Sequence, residues 1–331
     1  MSDSLFSLRT SSLWSHPLLL ALPALYILHK KLRRPTRLRK VTHDEERVLI
    51  LGASSGIGRA IAEKYAERGA RVCIVGRRQD QVDEVILSCR GLSSTGTDNT
   101  ILGTAADFAN AEDLVKIREQ IQTEWGGLDT LVVAAGVSAL RPLMEVAGVE
   151  TTKSGFSPDH ASLEGIQKAS EVASAAIHSN YIGPLMSAVT FIPLLSQTSK
   201  EPTILLISSL ASVIPAPTRS IYASTKGASL LLYQSLAIEH PNIAFSHIMP
   251  STVEGDFRAS AVDAGPVREA NPNKHGLKRE YVAEHCIRAV DERQRTVFLP
   301  WTMRVGHLLY WLWPAFVERQ ARKKYNFETQ G

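Results

Sequence analysis

The 331-residue chain is 44% hydrophobic and 21% charged, too apolar for a disordered protein and ordinary for a globular one. Its formal charge of +4 is uneven, because Lys30, Lys31, Arg33, Arg34, Arg37, Arg39 and Lys40 form one basic run and the remainder is slightly acidic. No recognition motif or interleaved aromatics accompany that run, so no nucleic-acid partner is expected. Three widely spaced cysteines, Cys73, Cys89 and Cys286, exclude a disulfide framework and lack metal-ligand spacing, so no metal is expected either.

The first element is an apolar stretch, Leu13 to Leu28, which passes directly into the basic run. It is shorter than the ~20 apolar residues of a spanning helix, and Pro17 and Pro23 interrupt it, so spanning and shallow insertion both stay open. Positive charge follows the apolar stretch instead of preceding it, which argues against a cleaved signal peptide and places the body in the cytosol. Residues 13–40 are therefore expected to meet membrane lipid; a tail with a hydrophobic patch is the alternative. Residues 1–45 read as anchor and linker, 46–300 as the main domain, and 301–331 as a C-terminal aromatic and basic extension.

Within residues 46–300, short apolar runs alternate with longer amphipathic stretches. The runs are Arg47–Leu51, Arg71–Val75, Ile101–Ala105, Leu128–Ala134, Thr203–Ile207, Ile243–Ile248 and Thr296–Leu299. This order predicts βαβ units and an α/β fold, a Rossmann-type doubly wound seven-stranded parallel sheet with helices on both faces. Helices are expected over Ile57–Arg68, Ala111–Glu124, Ile166–Leu195 and Tyr222–Ile238. Gly91–Asn99 reads as a loop, and Val146–Ser162 as a polar insertion on the catalytic side.

Directly after the first strand come Gly52, Ala53, Ser54, Ser55, Gly56, Ile57 and Gly58, then a helical pattern. Glycines allow a tight turn and close backbone approach, and the helix N-terminus directs free N–H groups at a pyrophosphate. About 20 residues further on, an acidic residue would accept from the ribose 2′-hydroxyl of NAD. Here Arg77 and Arg78 follow the second strand instead, and their planar donors suit a 2′-phosphate, which favours NADP(H). Asp107, just past the third strand, is placed to accept from an adenine amino group.

Tyr222 and Lys226 stand one helical turn apart and share a face. A phenol titrating near 10 is a poor acid or base at neutral pH, and a nearby cation favours its ionised form. Ser209 lies just beyond the strand Thr203–Ile207, where open α/β sheets bind ligands. Asn180 precedes Gly183-Pro184 within a long helical pattern, where asparagine serves better to fix water or backbone than to build helix.

These residues, in this order, resemble the short-chain dehydrogenase/reductase family over roughly residues 46–300. The resemblance implies that Tyr222 is the general acid or base and that Lys226 lowers its pKa and holds the nicotinamide ribose. It implies that Ser209 positions the carbonyl, that Asn180 supports a proton relay, and that Ala135, Gly136, Val253, Tyr222 and Lys226 touch the cofactor. A homo-oligomer is implied as well. Several positions depart from the family pattern: Leu51 replaces a threonine, Val133-Ala134 an Asn-Asn pair, Ser251 a glycine, and Gly255 a threonine. The layout is similar to anchored hydroxysteroid dehydrogenases and lipid ketone reductases, which implies an apolar carbonyl or alcohol substrate and an endoplasmic-reticulum membrane location. A catalytically weak NADP(H)-binding scaffold or sensor is the alternative. For Trp301–Phe316, a membrane-interface segment, a wall of the substrate mouth and a core or subunit-interface helix all stay open.

Overall fold

In strand β1 (Arg47–Leu51), Val48 and Ile50 join one apolar layer while Leu49 and Leu51 join the opposite one. Side chains alternate faces along a strand, so a strand buried on both sides reads as an unbroken apolar run. The same logic holds in β2 (Arg71–Gly76), β4 (Thr130–Val133), β7 (Thr203–Ile207) and β8 (Ala244–Pro250), while the edge strands β3 (Ile101–Ala105) and β9 (Thr296–Leu299) are only partly buried. These form one parallel seven-stranded sheet in the order β3-β2-β1-β4-β7-β8-β9. The computed structural model describes residues 37–93, 100–152, 155–259, 261–269 and 272–327. Leu13–Leu28 and the basic run before Arg37 lie outside the described residues. Among the described residues no helix is long and apolar enough to cross a membrane.

Helices α1 (Gly56–Glu67), α2 (Gln79–Leu92) and α9 (Arg279–Asp291) cover one face of the sheet through Ile61, Tyr65, Val82, Cys89, Val282 and Cys286. On the other face lie α3 (Ala111–Trp125), α6 (Gly183–Thr198) and α7 (Ser220–Glu239), which contribute Leu114, Ile117, Phe191, Leu195 and Tyr233. The doubly wound arrangement expected from the sequence is thus the observed one. Chain direction across the sheet reverses between β1 and β4, the switch point at which such sheets open a crevice.

Differences from expectation are local. Helix α2 runs through Gly91 and Leu92, positions read as loop, because Cys89 packs in the core and its carbonyl accepts from Ser93 N at 3.0 Å. The polar insertion is preceded by a short helix α4 (Leu143–Val146) and contains a two-stranded antiparallel hairpin, β5 (Glu150–Thr152) and β6 (Gly155–Ser157). The long helical stretch begins earlier than expected, at α5 (Leu163–Ile177), because the Ser162 hydroxyl caps it by accepting from Gly165 N. It then passes through one π-helical turn, His178–Ile182, before α6.

At the base of the sheet, the edge where the strands start, Arg37 is fully buried. It pairs with Glu46 at 2.8 Å and donates to Thr130 Oγ1 at 2.6 Å and Thr203 Oγ1 at 3.1 Å. Arg68 also bonds Glu46 and pairs with Asp291 at 3.0 Å, while Lys40 pairs with Glu201 at 2.5 Å. Arg37 and Lys40, read from the sequence as part of a lipid-facing run, are engaged in the fold. Arg37 is buried beside a carboxylate that needs a partner, whereas Lys40 reaches the largely buried Glu201 from an exposed position.

Candidate active site

The glycine turn is built by exclusion of side chains. A Cβ on Gly52, which has φ 88°, would stand 2.5 Å from Ala135 N and Cα, and one on Gly58 would stand 2.1 Å from Gly52 O. Gly56 has φ 59°, in the left-handed region that favours glycine. The tight turn therefore brings the N-terminus of α1 against the ends of β1 and β4. Gly52, Ser54, Ser55, Gly56, Ile57 and Gly58 all line a cleft of about 710 Å³ at the carboxyl ends of the strands. A cradle that a single methyl would fill fits the backbone approach of a dinucleotide pyrophosphate.

Arg77 and Arg78 line the far end of this cleft, exposed at the end of β2. Neither side chain forms a hydrogen bond or ion pair with another described residue, and both are thus available to an anionic ligand. Asp107 follows β3 closely, as the sequence placed it. Its Oδ1 accepts from Ala109 N at 3.0 Å, and its neighbours Ala106 and Phe108 form the cleft wall. A short aspartate beside a helix start is drawn to local backbone donors.

Ala135, Gly136, Val253, Ser209, Tyr222 and Lys226 also line the cleft. Parallel packing of β4, β7 and β8 brings these distant residues to one edge. Gly136 allows no larger residue, since a Cβ there would stand 2.8 Å from Asn180 Oδ1 and 3.1 Å from Lys226 Nζ. Lys226 Nζ donates to Ile207 O at 3.0 Å, and burial lowers its pKa to about 8. Asn180 lies behind the wall, fully buried, with Oδ1 accepting from Val137 N at 2.9 Å. Its Nδ2 donates to Val137 O and Thr225 Oγ1, both at 3.0 Å.

Burial raises the Tyr222 phenol above its usual value, while Arg219, a hydrogen bond with Ser209, and Arg258 act in the opposite direction. The Arg219 guanidinium, whose carbon lies 5.2 Å from the centroid of the Tyr222 ring, is thus a second cation near the phenol besides Lys226, to which helical spacing had pointed. The Ser209 hydroxyl also accepts from Ala211 N at 3.2 Å, which fixes the turn after β7.

Sequence reasoning missed the roof of the cleft. Arg258 Nε pairs with Glu269 at 2.5 Å, Arg219 approaches the same carboxylate at 3.8 Å, and the Phe257 ring meets Tyr222 edge-on at 6.0 Å between centroids. Tyr325, buried at the end of α11 (Pro314–Lys324), lines the cleft as well. No periodic pattern marks residues 254–279, so only a buried ion network of long reach could have revealed these groups. Gly255 has φ 108°, where glycine is favoured, and its N–H donates to Asn273 Oδ1 at 2.8 Å. That conformation explains the loss of the threonine found in the family pattern. Leu51, another departure, is a fully buried core residue.

The family model for short chain dehydrogenases matches residues 46–264. The chain belongs to the short-chain dehydrogenase family. Among curated proteins, this chain is similar to 11-beta-hydroxysteroid dehydrogenase-like 3 of Arabidopsis thaliana, at 31% identity over 243 residues, covering 73% of this chain and 68% of that one. It is 25% identical over 308 residues to Dehydrogenase/reductase SDR family protein 7-like of Dictyostelium discoideum, covering 92% and 90% of the two chains. The match to 11-beta-hydroxysteroid dehydrogenase-like 4A of Arabidopsis thaliana, 28% identical, covers 62% of this chain but only 60% of that protein's length. Two solved short-chain dehydrogenase folds are similar in shape. One is the Burkholderia phymatum short chain dehydrogenase/reductase in complex with NAD, with TM-score 0.66 and 18% identity over 82% of this chain and 94% of that one. The other is the Thermococcus sibiricus alcohol dehydrogenase complexed with 5-hydroxy-NADP, with TM-score 0.59 and 24% identity over 76% and 94%.

Proposed function

We propose that this short-chain dehydrogenase is an NADP(H)-dependent enzyme that interconverts an apolar carbonyl compound and its alcohol. One observation carries the reading: Tyr222, Ser209 and Lys226 line the same cleft as the glycine cradle at the carboxyl ends of the strands. Bound NADPH supplies a hydride to the carbonyl carbon. Tyr222 gives its proton to the carbonyl oxygen, Ser209 orients that oxygen, and Lys226 holds its ammonium beneath Gly136, within reach of a ribose. Asn180 keeps the cleft wall and α7 in register through Val137 and Thr225.

Arg77 and Arg78 support NADP(H) over NAD(H), since two exposed guanidinium groups line the cleft directly after β2, the position at which an acidic residue would accept from a 2′-hydroxyl. An apolar substrate is supported by Val137, Leu210 and Phe257 along the cleft and by the hydroxysteroid dehydrogenase-like names of the relatives. A membrane location draws support from α10 (Met303–Leu312), α11 and the Trp313 between them, which expose Trp311, Leu312, Trp313 and Phe316 and carry Arg322 and Lys323 in the last turn of α11. His307 of α10 meets Val213 O at 3.2 Å, next to the turn that bears Ser209, so this apolar surface adjoins the cleft. Exposed Leu231 and Ile238, two turns apart on α7, support a homo-oligomer.

The test is reduction of a lipid extract by the purified protein and NADPH, with mass spectrometry for products two hydrogens heavier. Tyr222→Phe should lower the rate roughly 10²–10⁴-fold, the usual contribution of a positioned acid. An unchanged rate in that variant overturns the reading.

A further inference from the structure

We propose that Arg219 is a positioning residue for the Tyr222 phenol, a fixed cation held over the tyrosine ring to stabilise its ionised form. The proposal rests on the reading of Tyr222 as the proton-transfer group and assigns the regulation of that group to a residue outside the family motif.

The geometry starts with helix α7. Arg219 is its N-cap and stands three residues before Tyr222, so the two side chains share a face. The guanidinium carbon sits 5.2 Å from the centroid of the Tyr222 ring, within the range of a cation–π contact. Arg219 is only 5% exposed. Its Nη1 donates to Ser138 Oγ at 2.7 Å and to Ala139 O at 3.3 Å, and its Nη2 lies 3.8 Å from Glu269. Partners on the segment after β4 and on the segment after β8 hold the guanidinium from two sides, a constraint that a surface arginine does not have.

Charge balance supplies the second argument. Removing a guanidinium from water is costly, and a buried ion pair is weak evidence for stability in its own right. Around the phenol, two buried arginines, Arg219 and Arg258, share the single carboxylate of Glu269. Positive charge is therefore in excess beside Tyr222, and an ionised phenol is the anion that balances it. Lys226 serves this purpose less well: burial lowers its pKa to about 8, so it loses charge as the solution becomes alkaline. A guanidinium stays charged throughout the range in which a phenol titrates.

The ionisable groups facing the phenol are Arg219 and Lys226 on its own helix, Arg258 and Glu269 on the segment after β8, and Lys324 and Tyr325 at the end of α11. Ser209 adds a neutral hydrogen bond from the turn after β7. Of these, Arg219 is the strongest influence toward the ionised form, and Glu269 works against it. The two residues therefore have effects of opposite sign.

Ultraviolet titration of tyrosinate in the full-length protein reads this directly. Each variant is recorded against the same variant carrying Tyr222→Phe, which isolates the Tyr222 signal and requires no substrate. Arg219→Met should move the midpoint to higher pH, Arg219→Lys should restore part of the difference, and Glu269→Gln should move it below the parent. The acid limb of alcohol oxidation, measured with NADP and the identified product alcohol, should shift in the same directions. A role limited to packing would lower stability without opposite shifts for the arginine and the glutamate. An unmoved or lowered midpoint in a folded Arg219→Met protein overturns the proposal. If that variant does not fold, unmoved midpoints in both Arg219→Lys and Glu269→Gln overturn it. Full activity in Tyr222→Phe, by contrast, removes the catalytic reading and leaves the titration result standing.

Discussion

Asn180 donates from Nδ2 to Thr225 Oγ1 at 3.0 Å, joining the π-helical turn to the helix that carries Tyr222 and Lys226. The same carboxamide pairs with both backbone groups of Val137, beyond the end of β4. Asn180→Ala leaves a buried N–H and a buried carbonyl without partners. It is expected to destabilise the protein by about 3 kcal/mol, read from its urea midpoint, with a loss of activity that accompanies the loss of wall geometry.

Lys226 presents the opposite balance between stability and chemistry. Its ammonium is buried, and the difference between an ordinary lysine value of 10.5 and about 8 corresponds to about 3 kcal/mol of unfavourable burial at neutral pH. Because the folded value is lowered, the unfolded chain binds the extra proton, and stability rises with pH between about 8 and 10.5. Lys226→Met should therefore be more stable than the parent at pH 7, less the lost bond to Ile207 O, and should lack that alkaline rise. Thermal melts across this range check the sign, and activity should be lost throughout.

Cofactor preference is expected to follow Arg77 and Arg78. Charge-assisted hydrogen bonds contribute about 1.5–3 kcal/mol, so replacing both with alanine should lower kcat/KM for NADPH by roughly tenfold to a few hundredfold while changing that for NADH little. Arg77→Asp should go further, since a carboxylate repels a 2′-phosphate and suits a 2′-hydroxyl. Steady-state rates with the two cofactors measure the ratio.

Arg37 holds Glu46 in a fully buried pair. Burial alone would raise the Glu46 carboxyl, but Arg37 and Arg68 outweigh it and hold it below the usual glutamate range. This stabilisation is present above the ordinary value of 4.5 and is lost as pH falls through the lowered folded value. Arg37→Met should cost about 3–5 kcal/mol at pH 7 and shift acid unfolding to higher pH, followed by circular dichroism.

The sheet was legible because each strand is a short apolar run bounded by helical patterns, as in Arg47–Leu51 and Ile57–Arg68. Tyr222, Lys226 and Ser209 were legible through helical spacing and position at a strand end. Arg219, Arg258, Glu269 and Tyr325 were not, since a pairing such as Arg219 with Glu269 depends on how the segment after β8 folds back over α7. Asp107 was legible from its position beside a strand end, while the local bond from Ala109 N to its Oδ1 was not. The hairpin Glu150–Ser157 carried no signal because its short strands are exposed on both faces and need no apolar alternation.

Five residues of extended chain separate the Arg37–Glu46 network at the foot of β1 from the glycine turn at its head, about 16 Å at 3.3 Å per residue. None of Arg37, Glu46, Arg68 and Asp291 lines the cleft, so an engineer seeking heat or acid tolerance can vary the foot of the sheet without replacing a residue of the cleft wall.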